Sequence, residues 1–156
     1  MLNLAGDLDD SLCNGEGMRY VIYSQGCEHR CEGCHNKHTW SLDKNFEISV
    51  DDMFERIMDK PLIEGVTFSG GEPFLQAKDF AALAKRIKEE TKLNIWCYTG
   101  YLYEDLLSST SIYVKELLNN IDVLVDGKFE IDNQEGALKW TGSANQKIYF
   151  LTKPTK

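Results

Sequence analysis

Short apolar runs alternate with amphipathic stretches along this chain, and each run ends in a polar or glycine-rich segment. Arg19 to Ser24 (RYVIYS), Gly65 to Ser69 (GVTFS), Asn94 to Thr99 (NIWCYT) and Ile121 to Val125 (IDVLV) are rich in β-branched and aromatic residues and read as strands. Between them the period changes. Val50, Met53, Phe54, Ile57 and Met58 recur at helical spacing behind Ser49, a good N-cap, with Asp51 and Asp52 suited to the helix dipole. Phe80, Leu83, Ala84 and Ile87 line a second helix whose other face carries Lys85, Arg86, Lys88 and Glu89. A further helical stretch ends near Leu118, and Leu138 to Leu151 is β-prone without a clear topology.

Strands alternating with helices imply βαβ units and a mostly parallel sheet. Such units are too few here to close an eight-stranded barrel, so the expected fold is α/β, an open partial (β/α) barrel, with residues 1–156 as a single domain. The segment after each strand is then informative. Cys27 to Cys34 follows the first strand, Gly70-Gly71-Glu72-Pro73 the second, Thr99-Gly100 the third and Asp126-Gly127-Lys128 the fourth. In a parallel sheet these points share the carboxyl edge, where ligands bind.

Composition narrows the class. With 156 residues and 42% hydrophobic content, the chain supports one core. A formal charge of −8 disfavours nucleic acid, which needs a basic face. The acidic stretch Met1 to Asp10 lacks the features of a signal peptide, and no apolar run is long enough to span a bilayer, so a cytoplasmic location is expected. Five cysteines in such a chain point to metal or redox use rather than disulfides.

Three of those cysteines, Cys27, Cys31 and Cys34, form C-x3-C-x2-C with no obvious fourth. Three thiolates on a four-iron cluster leave one iron open to a small molecule, whereas four would close the site. The alternative is zinc as Cys3His, with His29, His35 or His38 completing the set. Zinc ligands usually come as two separated pairs, and a second pair is missing. Gly70-Gly71-Glu72-Pro73 offers close backbone approach and a carboxylate suited to an ammonium group, although alone it is an ordinary turn. Cys97, within an apolar strand, reads as a buried small hydrophobe, and Cys13 as an ordinary thiol.

The C-x3-C-x2-C loop followed by Gly-Gly-Glu-Pro resembles the radical S-adenosylmethionine superfamily. A narrower resemblance, to the activases of anaerobic ribonucleotide reductases, rests on further segments. These are Asn14 to Gly17, Cys34 to Lys37 with Thr39-Trp40, Trp96 with Tyr98 to Tyr101, Val125 to Phe129 and Trp140 to Gln146. Glu16 and His35 depart from it, where proline and tyrosine are frequent. The resemblance implies a [4Fe-4S] cluster on Cys27, Cys31 and Cys34, and S-adenosylmethionine on its open iron. Gly33, Cys34 and His35 would pass the adenine, Gly70, Gly71 and Glu72 would hold the methionine end, and Asp126 and Lys128 would be a polar pair near S-adenosylmethionine, with Lys128 meeting its carboxylate. It further implies reductive cleavage to a 5′-deoxyadenosyl radical, a glycyl radical on the large subunit of the anaerobic ribonucleoside-triphosphate reductase as product, and a one-electron donor such as flavodoxin. The rival readings are an activase of another glycyl-radical enzyme and a non-catalytic zinc or iron–sulfur structural module.

Overall fold

A computed structural model describes residues 1–34 and 37–151. His35, one of the expected adenine contacts, therefore lies outside the described residues. Among the described residues seven strands form one sheet: β1 (Leu2–Ser11), β2 (Arg19–Ser24), β3 (Phe46–Ile48), β4 (Gly65–Gly70), β5 (Asn94–Tyr98), β6 (Val123–Asp126) and β7 (Lys147–Phe150), in the spatial order β3-β1-β2-β4-β5-β6-β7. The four strands expected from the sequence are the parallel centre, β2-β4-β5-β6, paired in chain order. Antiparallel β1 and β7 flank them, and β3 pairs antiparallel with β1. The sheet is open, with β3 and β7 at its two edges.

Sequential order has a consequence for the layers. Right-handed crossovers that always advance in one direction put every connecting helix on the same face. Here those helices are α1 (Val50–Met58), α2 (Ala77–Glu90), α3 (Tyr103–Leu107) and α4 (Ile112–Asn120). Ser49 caps α1, its hydroxyl accepting from the Asp52 N–H at 3.0 Å. Met53, Phe54 and Ile57 of α1 and Phe80, Leu83, Ala84 and Ile87 of α2 are buried against Tyr20, Ile22, Val66, Phe68, Ile95 and Leu124 of the sheet. Met58, at the end of the α1 stripe, is exposed. The single helical stretch expected before Leu118 is two helices, broken at Ser108 to Ser111. Among the described residues no helix is long and apolar enough to cross a membrane.

The other face of the sheet holds a smaller apolar cluster, Trp96, Val123 and Val125 with Tyr98, Trp140 and Ile148 packed against it. Arg19, Thr67, Trp96, Val123 and Val125 point to it and are buried. Irregular chain covers them. Thr67 Oγ donates to Asn14 O at 2.6 Å, and a Cβ on Gly15 would meet the Trp96 ring at 2.9 Å and Arg19 at 3.0 Å. From the far end of the chain, Trp140 stands edge-on to Trp96 at 6.1 Å, and its carbonyl accepts from the Tyr98 hydroxyl at 2.8 Å.

Arg19 is the structural centre of this face. It is fully buried, and its guanidinium donates to Thr67 Oγ, Glu16 O, Val66 O and Asn94 O while lying 5.6 Å from the Trp96 ring. Burial lowers its pKa to about 10, opposed by the nearby acidic groups Tyr98, Asp122, Glu64 and Glu16. Arg19→Met keeps the stem but leaves buried carbonyls without donors, and is expected to lower stability by about 2–4 kcal/mol in urea unfolding. Exposed Lys85→Ala is expected to change it by less than about 0.5 kcal/mol.

Candidate metal and cofactor site

The four segments expected to converge do so at the carboxyl ends of β2, β4, β5 and β6. The exit of β2 and the turn after β4 are almost in contact. Gly71 N donates to Ser24 O and Glu72 N to Gly26 O, both at 2.8 Å. A Cβ on Gly70 would lie 2.4 Å from Ser24 N, and one on Gly71 2.3 Å from Gly26 O. Both glycines are thus required by the chain's own backbone, with Gly70 also at a φ of +90°.

Glu72 is fully buried, and its carboxylate gathers the neighbouring segments. His29 Nε2 lies 2.6 Å from Oε1, Gly100 N donates to Oε1 at 2.8 Å, and the Thr99 hydroxyl is 2.9 Å from both oxygens. Oε2 also accepts from Phe74 N at 3.0 Å, so the same carboxylate caps the short turn Pro73–Gln76 that leads into α2. His29, from the middle of the cysteine loop, packs edge-on to Tyr101 at 4.6 Å.

Around the cysteines the backbone is arranged for anionic sulfur. Burial pushes the Cys27 thiol up, while the backbone N–H groups of His29 and Arg30 pull it down. Burial likewise raises Cys31, opposed by the Phe129 backbone N–H and by the charge of Lys128. Exposed Lys128 therefore stands close to the cysteine loop. Arg30 adopts a left-handed conformation (φ 50°), unusual for a residue with a side chain, and the loop also turns at Gly33 (φ 74°). Cys34 N closes a turn onto Cys31 O at 3.1 Å.

Amide donors aimed at sulfur, three thiols in one loop and a buried indole N–H of Trp40 without an acceptor among the described residues fit a thiolate-held cluster. Trp40 borders the loop, its carbonyl accepting from Cys27 N at 3.2 Å and its ring lying 5.5 Å from the Arg30 guanidinium. Among the described residues no three possible ligands are gathered tightly enough to hold a single ion. The other two cysteines are apart: Cys13 is exposed, and Cys97 is buried in β5 with its thiol pushed far up by burial.

Asp126 ends β6 and is buried. Its oxygens accept from Tyr103 N at 2.8 Å and Lys147 N at 3.2 Å, which fixes the turn that presents Lys128. The Trp140 to Gln146 stretch, a recurring segment with no assigned role, holds the same turn from outside. Gln146 Nε2 donates to Gly127 O at 2.9 Å and Asn145 Nδ2 to Lys128 O at 2.8 Å. Sequence reasoning missed Thr99 as a carboxylate partner and Gln76 as a clamp. Gln76 pairs with Asn3 N and Asn3 O, both at 2.8 Å, and ties β1 to this edge.

The family model for a 4Fe-4S single cluster domain matches residues 13–149. The anaerobic ribonucleoside-triphosphate reductase-activating protein of Pasteurella multocida (strain Pm70) is 37% identical over 153 residues, covering 91% of this chain and 93% of that protein. The protein of the same name from Escherichia coli (strain K12) is 35% identical over 147 residues, covering 90% and 93%. Among solved structures, QueE from Escherichia coli matches with a TM-score of 0.47 at 22% identity, covering 64% of this chain and 51% of that one.

The tightness of the β2–β4 exit can be tested directly. Gly71→Ala places a methyl against the Gly26 carbonyl and is expected to cost about 3 kcal/mol. Gly136→Ala meets no atom within 4 Å and carries only the strain of its φ of +82°, about 1 kcal/mol. Thermal unfolding of both variants checks the ranking; equal losses would remove the close approach as the reason for the glycine.

Proposed function

The chain belongs to the family of anaerobic ribonucleoside-triphosphate reductase-activating proteins, and on that premise we propose that it generates the glycyl radical of an anaerobic ribonucleoside-triphosphate reductase. The observation that carries this reading is a likeness spanning about nine tenths of both this chain and its relatives, with the cysteine loop inside the matched region. When bound, a [4Fe-4S] cluster supplies the electron that cleaves S-adenosylmethionine reductively, so that the hydrogen of a reductase glycine is abstracted.

The chain's own residues have four tasks. Cys27, Cys31 and Cys34 would hold three irons as thiolates, an anionic form that the amides of His29, Arg30 and Phe129 favour. Gly33, Cys34 and His35 are assigned to the adenine, and the Gly70-Gly71-Glu72 turn to the methionine end. Lys128 is the cation assigned to the methionine carboxylate, with Asp126 positioning its turn. The exposed side of the loop receives, in turn, a one-electron donor such as a reduced flavodoxin and the glycine-bearing segment of the reductase. An anaerobic cytoplasm suits this chemistry.

A rival module that only binds metal would cleave nothing. The reconstituted protein, given dithionite and S-adenosylmethionine without oxygen, is expected to form 5′-deoxyadenosine, and with the reductase large subunit to produce a glycyl-radical EPR signal on that subunit. Cys31→Ala is expected to lose cluster and cleavage together, while Cys97→Ala keeps both, its thiol being buried in β5 within the hydrophobic core. Cleavage retained in Cys31→Ala would refute the ligand assignment, and one zinc without sulfide in the wild type would favour the structural module.

A further inference from the structure

The carboxylate of Glu72 has no capacity left. An ionised carboxylate offers about four acceptor positions, and four donors already occupy them: His29 Nε2, the Thr99 hydroxyl, Gly100 N and Phe74 N. The side chain is wholly buried, so water is not exchanged for these partners.

His29 is equally committed. Its side chain is 7% exposed. Its ring lies against Gly100, where a Cβ would come within 2.5 Å of Cδ2, and against Tyr101. The residue sits midway between Cys27 and Cys31, directly before Arg30, whose left-handed backbone is costly for a residue with a Cβ. A strained loop persists only where its surroundings hold it, and His29 is the side chain of this loop that reaches the buried carboxylate.

We infer that His29 and Glu72 are a paired set of positioning residues that lock the cysteine loop to the β4 and β5 exits. The inference rests on the proposed cluster assignment for its purpose, but the lock itself is a property of the chain. Because Gly100 and Thr99 share the carboxylate, the loop, the β4 turn and the β5 turn keep one relative placement.

The test is hydrogen exchange of the full-length, metal-free, reduced chain, read over residues 26–34, with the β4 core as an internal folding control. His29→Leu is expected to speed exchange of that segment about tenfold, the order expected for losing one buried hydrogen bond to a charged group. His29→Gln, whose amide reaches where Nε2 stood, is expected to restore most of the protection. In a Glu72→Gln background, the His29→Leu effect should largely vanish. In the reconstituted protein the same ranking is expected for iron release to a chelator and for the EPR line shape of the reduced cluster. Unchanged exchange in His29→Leu, or undiminished effects in the Glu72→Gln background, would overturn the lock. A wild type that takes up no iron and sulfide would instead sink the proposed function, while the exchange experiment still decides the lock.

Discussion

A carboxylate sealed from water must draw all its hydrogen bonds from the chain, and this molecule is organised round one such group. Burying Glu72 without donors would cost several kcal/mol, so its surroundings are dictated: a side chain from the cysteine loop, a hydroxyl and an amide after β5, an amide from its own turn. These donors come from three loops far apart in sequence. Satisfying one acidic residue therefore brings together the elements that would otherwise hang independently from the sheet edge. The two glycines before it serve the same end, because only without side chains can the β2 exit and the β4 turn lie against each other.

The opposite face is governed by a buried cation rather than an anion. Arg19 meets neutral carbonyls and an aromatic face, and so fastens the Asn14 to Gly17 loop beneath the sheet. The helix face depends on area and periodicity; the loop face depends on polar atoms finding partners. Helices would pack there only by displacing the irregular segments that already satisfy Arg19, Thr67 and Tyr98.

Periodicity explains what was legible in advance. The central strands and α1 and α2 carry uninterrupted patterns, and their expected limits agree with the structure to within two residues at either end of each strand. β1 was not legible: its Leu2 and Leu4 alternate correctly, but Gly6, Asp7, Asp9 and Asp10 are poor strand formers, and two register shifts interrupt its pairing with β2. β3 is three residues long and exists because β1 offers it an edge. At the site, the convergence of four loops followed from strand direction alone. Which atoms each would touch did not. Asp126 accepts from the Tyr103 and Lys147 amides, and Trp140 to Gln146 is fastened to Gly127 and Lys128, by contacts that no spacing rule encodes.

Strand order also sets a timetable for synthesis. Each parallel strand pairs with one already made, so the sheet can grow in the direction in which the chain leaves the ribosome. The cysteine loop is made early, yet two donors of the carboxylate that anchors it belong to Thr99 and Gly100. Until β5 has been translated and docked, the three thiols sit on a loop whose anchor is still hydrated. During that interval the three thiols are held by fewer contacts than in the folded chain.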